Sequence, residues 1–415
     1  MVGPVRTRPT ARPVRLSGMA DVLAELEEVP GGAHLRRAAA ACAAPAYLVG
    51  GAVRDLLLGR PPRELDVAVE GDPEPLIAAI GGDVERHERF GTAVVRGDGW
   101  CVDVARCRRE TYAHPGALPD VSPADVRSDL QRRDATINAI AVGLADGAVV
   151  AAPHAEADLR AGLLRVLHDA SFLDDPTRLW RLARYRARLG FELEPHTAAL
   201  AAQAVSGGAL TTISGVRTGN ELRLALREDD PVAALRSVAK LGLAPWLEVD
   251  VERIAAARAL APADARGDLV TLAAALGPET DGARLQDLGF PGAERDAVLR
   301  ALEVRAGRHR PAGARPSEIA RAFRGLPGEA VALAPEEDRA AARRWLDELR
   351  HVRLEVDGDD LLTAGVARGP EVGARLRAVL DAVLDGEVAP ERSAQLAAAL
   401  ADDPVAHRKD RRAEP

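Results

Sequence analysis

Glu64 and Asp66 are two positions apart in a run, Glu64 to Val69, that alternates in character: Leu65, Val67 and Val69 on one side, Glu64, Asp66 and Ala68 on the other. On a strand, residues i and i+2 point the same way and lie about 6.5–7 Å apart, so the two carboxylates can converge on a cation. A solvated strand face would carry the same pair. Asp103, between Val102 and Val104 on another β-like run, offers a third carboxylate. Oxygen ligands without His or Cys select Mg²⁺ or Mn²⁺, and two such ions about 3.5–4 Å apart can clamp the attacking and leaving oxygens of phosphoryl transfer. Upstream, Gly50-Gly51 separates an apolar run from a helical one, with Arg54 one turn in. A glycine pair there lets a triphosphate approach backbone N–H groups at a helix N-terminus, although an ordinary tight turn has the same composition.

A second constellation lies downstream. Asp175 directly before Pro176 reads as a helix N-cap, with proline at the first turn. Arg178, Arg181, Arg184 and Arg188 then recur at spacings of three and four as one basic stripe, while Leu179, Leu182 and Leu189 supply an apolar face. Arg217 and Glu221 are four apart and can pair along a helix as a structural salt bridge. His87, His114 and His168 have no second histidine at metal-ligand spacing and read as ordinary surface or loop residues.

The elements that must position these residues change character along the chain. Ala46 to Val49 reads as a strand, Ala52 to Leu58 as a helix closed by Gly59, and Thr92–Val95 with Trp100–Ala105 as a hairpin around Gly97-Asp98-Gly99. Together they predict an antiparallel or mixed sheet with helices on one side. A Pro-rich loop, His114–Pro123, precedes a helical pattern starting near Asp129. Beyond residue 150, Ala, Leu and Arg at helical spacing dominate, with Gly and Pro breaks near 289–292 and 307–316. The expected divisions are an arm over 1–18, a head over 19–150, a helical neck over 151–227, a body over 228–310, a tail over 311–405 and a frayed end over 406–415.

The composition sets outer bounds. A length of 415 residues calls for several packed units, and 47% apolar with 28% charged residues argues against disorder or a fibre. No run approaches the ~20 apolar residues of a membrane span, and the first 20 residues lack a secretory apolar block. Cys42, Cys101 and Cys107 suit neither a zinc knuckle nor a disulfide scaffold, which fits a reducing cytoplasm. An aromatic share of 3% leaves few stacking platforms for single strands. The net charge of −8 does not exclude RNA, because local basic surface sets phosphate affinity. The arm carries Arg6, Arg8, Arg12 and Arg15 without acids, and Met19 is an alternative start to Met1.

The run from Tyr47 to Arg60 (YLVGGAVRDLLLGR), followed by Glu64 to Gly71 (ELDVAVEG), resembles the head of class II tRNA nucleotidyltransferases and the related bacterial poly(A) polymerases. Further motifs follow in that family's order: Arg108–Tyr112 with Pro115–Pro119 resembles its flexible loop, and Asp129–Ala139 (DLQRRDATINA) its ribose-contacting motif. Leu164–His168 with Ser171–Arg178 (SFLDDPTR) is similar to its nucleotide-templating neck. The resemblance covers about residues 45–192 and fades into general helical character beyond.

It implies an α+β head with a polymerase-β-like mixed sheet, followed by an all-α neck, body and tail. Glu64, Asp66 and Asp103 would be the catalytic metal ligands for Mg²⁺, with Mn²⁺ as a substitute. Gly50, Gly51 and Arg54 would hold the triphosphate, and Arg132, Arg133, Asp134 and Asn138 would lie at ribose and phosphates. Asp175 and Arg178 would read the base edge, with Arg181 and Arg184 beside them. A carboxylate accepts from the exocyclic amine of cytosine or adenine and a guanidinium donates to the adjacent ring nitrogen, whereas uracil presents an oxygen where the amine should be. The implied activity is addition of CMP and AMP, from CTP and ATP, to the 3′ end of tRNA, with CC-only, A-only or poly(A) addition as variants.

Two positions depart from the family pattern. Glu64 stands where aspartate is usual and extends the carboxylate by one methylene, about 1.5 Å; octahedral Mg²⁺ tolerates misplacement poorly, which keeps open a non-catalytic RNA- or nucleotide-binding homologue. Ala135 replaces the usual phenylalanine and removes packing volume.

Overall fold

The computed structural model describes residues 21–87 and 91–401. The expected arm over 1–18, the frayed end over 406–415 and the side chain of His87 lie outside the described residues. The chain forms two compact units, one reaching to Pro245 and the other beginning at Trp246.

The first unit opens with α1 (Val22–Glu27) and α2 (Gly32–Ala40), then builds a sheet from short strands broken at glycines. Its strands are β1 (Ala46–Val49), β2 (Leu65–Val69), β3 (Asp83–His87), β4 (Thr92–Gly97), β5 (Trp100–Arg106), β8 (Ile140–Gly143) and β9 (Val149–Ala151), ordered β3-β4-β5-β2-β1-β8-β9 among the described residues. Helix α3 (Gly51–Leu57) follows β1 and α4 (Glu74–Ile80) follows β2. The Asp98-Gly99 turn joins β4 to β5, and Gly99 takes a φ of +74° that suits glycine. A separate hairpin pairs β6 (Arg108–Thr111) with β7 (Asp120–Pro123).

β2 runs antiparallel to β1 but parallel to β5, and this parallel register sets Asp66 directly beside Asp103. Residues of one parity, Val49, Ala68 and Ala141, pack with Val126 and Leu130 of α5 (Val126–Gln131). Those of the other parity, Leu48, Val67, Val102, Val104 and Val142, are buried as well. The sheet is therefore covered on both faces, correcting the expectation of helices on one side. The helix expected from Asp129 starts earlier, at Val126 with Asp125 capping the Ser128 amide, and ends at Gln131. Arg132, Arg133 and Asp134 thus lie past its end, where the chain turns into a 3₁₀ segment, Thr136–Asn138, that leads to β8.

The residues expected to form the neck hold α6 (Ala155–Ala161), α7 (Ser171–Asp174), α8 (Thr177–Leu189), α9 (Pro195–Ser206) and α10 (Gly215–Leu226), and α11 (Pro231–Lys240) follows within the same unit. A short parallel pair, β10 (Leu163–Leu164) with β11 (Glu192–Leu193), adds a β element within the helical neck. The second unit is helical from α12 (Val251–Leu260) to α21 (Arg392–Leu400), and the breaks read at 289–292 and 307–316 fall between helices. Among the described residues, no helix is long and apolar enough to cross a membrane, and Cys42, Cys101 and Cys107 are free thiols.

Candidate active site

The three acids meet at neighbouring strands. Asp66 and Asp103 are paired neighbours on parallel strands, and Glu64 stands one residue before β2 begins. One carboxylate oxygen from each of Glu64, Asp66 and Asp103 lies within 4.8 Å of the others. The extra methylene of Glu64 has not removed it from the cluster. Burial, together with the negative charges of Asp103 and Glu64, pushes the Asp66 carboxyl up to about 6 against the opposing pull of Arg133 and Arg54. Such a set is electrostatically incomplete without positive charge, and a hard divalent cation matches its all-oxygen donors. The residues present therefore fit the metal that the resemblance implies.

Gly50 carries φ +71° and ψ −132°, a conformation strained for any residue with a side chain. A Cβ there would lie 2.5 Å from Arg133 Nη1 and 3.6 Å from Asp66 Oδ2, so the turn runs hard against the acid cluster. Arg54 is only 2% exposed: Nε donates to Asp55 Oδ1 at 2.8 Å and Nη1 to Asn138 Oδ1 at 2.6 Å. Asn138 Nδ2 in turn donates to Asp134 Oδ1, and Tyr185 Oη donates to Asp134 Oδ2 at 2.7 Å. The Tyr185 ring lies under the Arg54 guanidinium, 5.6 Å from ring centre to carbon. Burial would raise the Asp134 carboxyl, but Arg181 and the Asn138 and Tyr185 hydrogen bonds outweigh it and hold the group below the usual range. Arg54, Asp134 and Asn138 thus form one connected polar wall.

Arg132 and Arg133 reach back to the fully buried Asp129, at 2.8 and 3.0 Å. Arg132 also meets Glu110, which accepts from Tyr112 Oη at 2.8 Å. Burial and the Glu110 charge push the Tyr112 hydroxyl up to about 12.

Pro176, not the expected Asp175, holds the N-cap position of α8, but Asp175 bonds to its first residue: Oδ1 accepts from the Thr177 amide at 3.0 Å and from Thr177 Oγ1 at 2.6 Å. Arg178 Nη1 donates to Ser171 Oγ and Nη2 to the Arg132 carbonyl, both at 2.7 Å. These contacts fix the plane of a guanidinium that has five donors in all. The stripe is not a solvated one. Arg184 and Arg188 converge on Glu228, whose side chain is 2% exposed, and Arg181 and Arg184 meet Glu221. The expected Arg217–Glu221 pair does not form, because neck acids and bases offer both residues closer partners. Arg217 Nη2 donates to Asp175 Oδ1 at 2.8 Å and Nη1 to the Gly116 carbonyl, tying α10 to the Pro-rich loop. His114 is a loop residue, while half-buried His168 lies 3.5 Å from Arg178 Nη1; burial and that guanidinium lower its pKa.

A cavity of about 750 Å³ collects Gly50, Gly51, Arg54, Glu64, Asp66, Arg132, Arg133, Asp134, Asn138, Asp175, Arg178, Arg181 and Arg184. Asp103 does not line it and joins through the acid cluster. Sequence reasoning missed the wall residues Arg63, Glu110 and Tyr185, and read Arg188 only as part of the basic stripe. Tyr185 had a usable signal, since it sits four residues beyond Arg181 on the same helical face; Arg63 had none.

A sheet with paired acids beside a glycine turn, continuous with a helical neck, defines a class of nucleotidyltransferase heads. Residues 46–165 match the family described as Poly A polymerase head domain. Residues 46–165 thus carry that head domain, and over most of its length the chain is similar to tRNA nucleotidyltransferases. It is 36% identical over 402 residues to the A-adding tRNA nucleotidyltransferase of Geobacter sulfurreducens, covering 86% of this chain and 45% of that protein. It is 40% identical over 197 residues to the CC-adding tRNA nucleotidyltransferase of Deinococcus radiodurans, covering 46% of this chain and 52% of that protein. The Thermotoga maritima CCA-adding enzyme complexed with tRNA-CCA superposes with a TM-score of 0.70 at 25% identity, over 93% of this chain and 98% of that one. The chain spans about half the length of the curated relatives it matches.

Proposed function

We propose that this protein adds CMP and AMP from CTP and ATP to the 3′ end of tRNA and releases pyrophosphate. The observation that carries this reading is the convergence of Glu64, Asp66 and Asp103 beside a cavity that also holds the Gly50-Gly51 turn, Asp175 and Arg178. Divalent cations held by the three carboxylates, Mg²⁺ in the first instance, would supply charge stabilisation for the oxygens that attack and leave. The tRNA 3′ oxygen bonds to the α-phosphorus as the bond from that phosphorus to the β-phosphate bridging oxygen breaks, and the hydroxyl proton passes to solvent.

The protein's own groups bind and orient. The Gly51 amide at the start of α3 would face the triphosphate, the Gly50 amide being bonded to the Ile140 carbonyl at 3.3 Å, and Arg133 and Arg132 would add positive charge along its path. Asn138 and Asp134 would fix the ribose side, and Arg54, bonded to Asn138, would add its charge on the triphosphate side. Asp175 Oδ1 is engaged by Thr177 and Arg217, so Oδ2 is the atom offered to an exocyclic amine; the Arg178 fork, anchored on Ser171 and the Arg132 carbonyl, donates to the neighbouring ring nitrogen. The neck would cover 151–227, with the body over 228–310 and the tail over 311–405 holding tRNA through phosphates and shape. Free thiols suit a cytoplasmic setting.

A second reading, AMP addition alone, is favoured by the A-adding relative that aligns over 86% of the chain. tRNA ending before the first C, after one C and after CC, each offered CTP or ATP singly, separates the two. Incorporation of C on the first two ends and of A on the third supports full CCA addition. Incorporation of A on the CC end only supports the second reading, and RNA binding without incorporation under Mg²⁺ or Mn²⁺ refutes both.

A further inference from the structure

The segment that delivers Glu64 is short of backbone anchors. After the Arg60 amide bonds to the Asp55 carbonyl at the end of α3, Pro61 and Pro62 bring no N–H donor, and β2 begins only at Leu65. Glu64 also has one more rotatable bond than aspartate, so holding its carboxylate in the acid cluster costs more side-chain entropy. What grips this segment is the residue next to Glu64. Arg63 Nη2 donates to Asp229 Oδ2 at 2.8 Å and Nη1 approaches Glu228 Oε2 at 3.5 Å. Both acids lie between α10 and α11, and Glu228 is held rigidly by Arg184 and Arg188.

We infer that Arg63 is a positioning residue for Glu64: by clasping Glu228 and Asp229 it fixes the backbone from which the Glu64 carboxylate reaches the cation. This rests on the metal reading proposed above. The sign of the effect separates positioning from simple electrostatics. Arg63 is itself a cation near the cluster, so its charge alone opposes a divalent ion, and its removal should then tighten binding. A positioning role demands the reverse. The size must be modest, because the Arg63 and Asp229 side chains are 45% and 90% exposed and a solvated pair is weak.

The test is titration of the full-length, metal-free protein with Mn²⁺, with free ion followed by electron paramagnetic resonance, in the absence of nucleotide and RNA. Arg63→Ala should weaken Mn²⁺ binding by roughly two- to five-fold. Asp229→Ala should weaken it comparably, the double variant should be no weaker than Arg63→Ala, and Arg63→Lys should recover part of the loss. The gap between wild type and Arg63→Ala should close at about 0.5 M salt, where a solvated pair is screened. Mn²⁺ bound as tightly or more tightly by Arg63→Ala, with Asp66→Ala having lost it, overturns the inference. Mn²⁺ bound normally by Asp66→Ala would instead overturn the metal reading beneath it. Should Arg63→Ala fail to fold, Asp229→Ala carries the test, and normal Mn²⁺ binding by that variant refutes the clasp.

Discussion

Gly50→Ala probes the turn on which the proposed triphosphate seat depends. At φ +71° and ψ −132° an alanine is strained by about 1–3 kcal/mol. Its Cβ would also stand 2.5 Å from Arg133 Nη1, and Arg133 cannot retreat freely because its other terminal nitrogen is bonded to buried Asp129 at 3.0 Å. Strain and crowding together should lower the unfolding free energy by about 2–4 kcal/mol. Because Asp66 Oδ2 is the next atom in line, at 3.6 Å, relief of the clash moves the acid cluster or the turn, and a shift near 1 Å should cut turnover about 100-fold. Gly51→Ala is the matched control. Its Cβ makes ordinary contact with Arg54 Nη2 at 3.4 Å, so the fold should hold while turnover falls, since the new methyl group covers an amide meant for phosphate. Urea unfolding and single-nucleotide incorporation read the two effects separately. Gly50→Ala with wild-type stability and turnover within two-fold would refute the strain argument, and a fully active Gly51→Ala would refute the phosphate seat.

Asp175→Ala should relax rejection of UTP and, by removing the acceptor of the Thr177 amide, lower stability by about 1 kcal/mol; unchanged base selectivity measured with CTP, ATP and UTP would leave Asp175 a structural acceptor only. Glu228→Gln leaves Arg188 without its counter-ion and Arg184 with Glu221 alone, and should destabilise the protein by about 3 kcal/mol in urea at neutral pH. Burial works to raise the Glu228 carboxyl, but the Arg188 and Arg184 hydrogen bonds and charges hold it below the ordinary value of 4.5. Its contribution is complete above that value and is lost as pH falls through the depressed one, so the gap between wild type and Glu228→Gln should narrow below pH 4.5. An equal gap at neutral pH and in acid would contradict this.

The head was legible where the signal was local. Parity from Glu64 to Val69 placed the first two acids on one face, and Asp98-Gly99 marked its hairpin. Strand β8 escaped because all its residues are buried, so no alternation marks it. The parallel pairing that seats Asp103 beside Asp66 joins residues 37 positions apart, a register that sequence periodicity does not encode. Arg217 and Glu221 were rightly singled out but wrongly paired, because an i,i+4 rule knows only its own helix while Asp175, Arg181 and Arg184 arrive from α8 and the chain just before it. The end of α5 was missed because Asp129 draws Arg132 and Arg133 back through side-chain bonds that mimic continued helical spacing. The resemblance, more than any periodicity, supplied the roles of Asp175 and Arg178, whose side chains the structure shows bonding the Thr177 amide and the Arg132 carbonyl.

The most direct measurement is Mg²⁺-dependent nucleotide incorporation into tRNA by wild type and Asp66→Ala, with tRNA binding recorded on the same preparations. Asp66 has both other acids within 4.8 Å, so its loss should abolish incorporation while tRNA affinity stays near wild type. Near-normal turnover by Asp66→Ala would contradict the carboxylate cluster as the centre of catalysis.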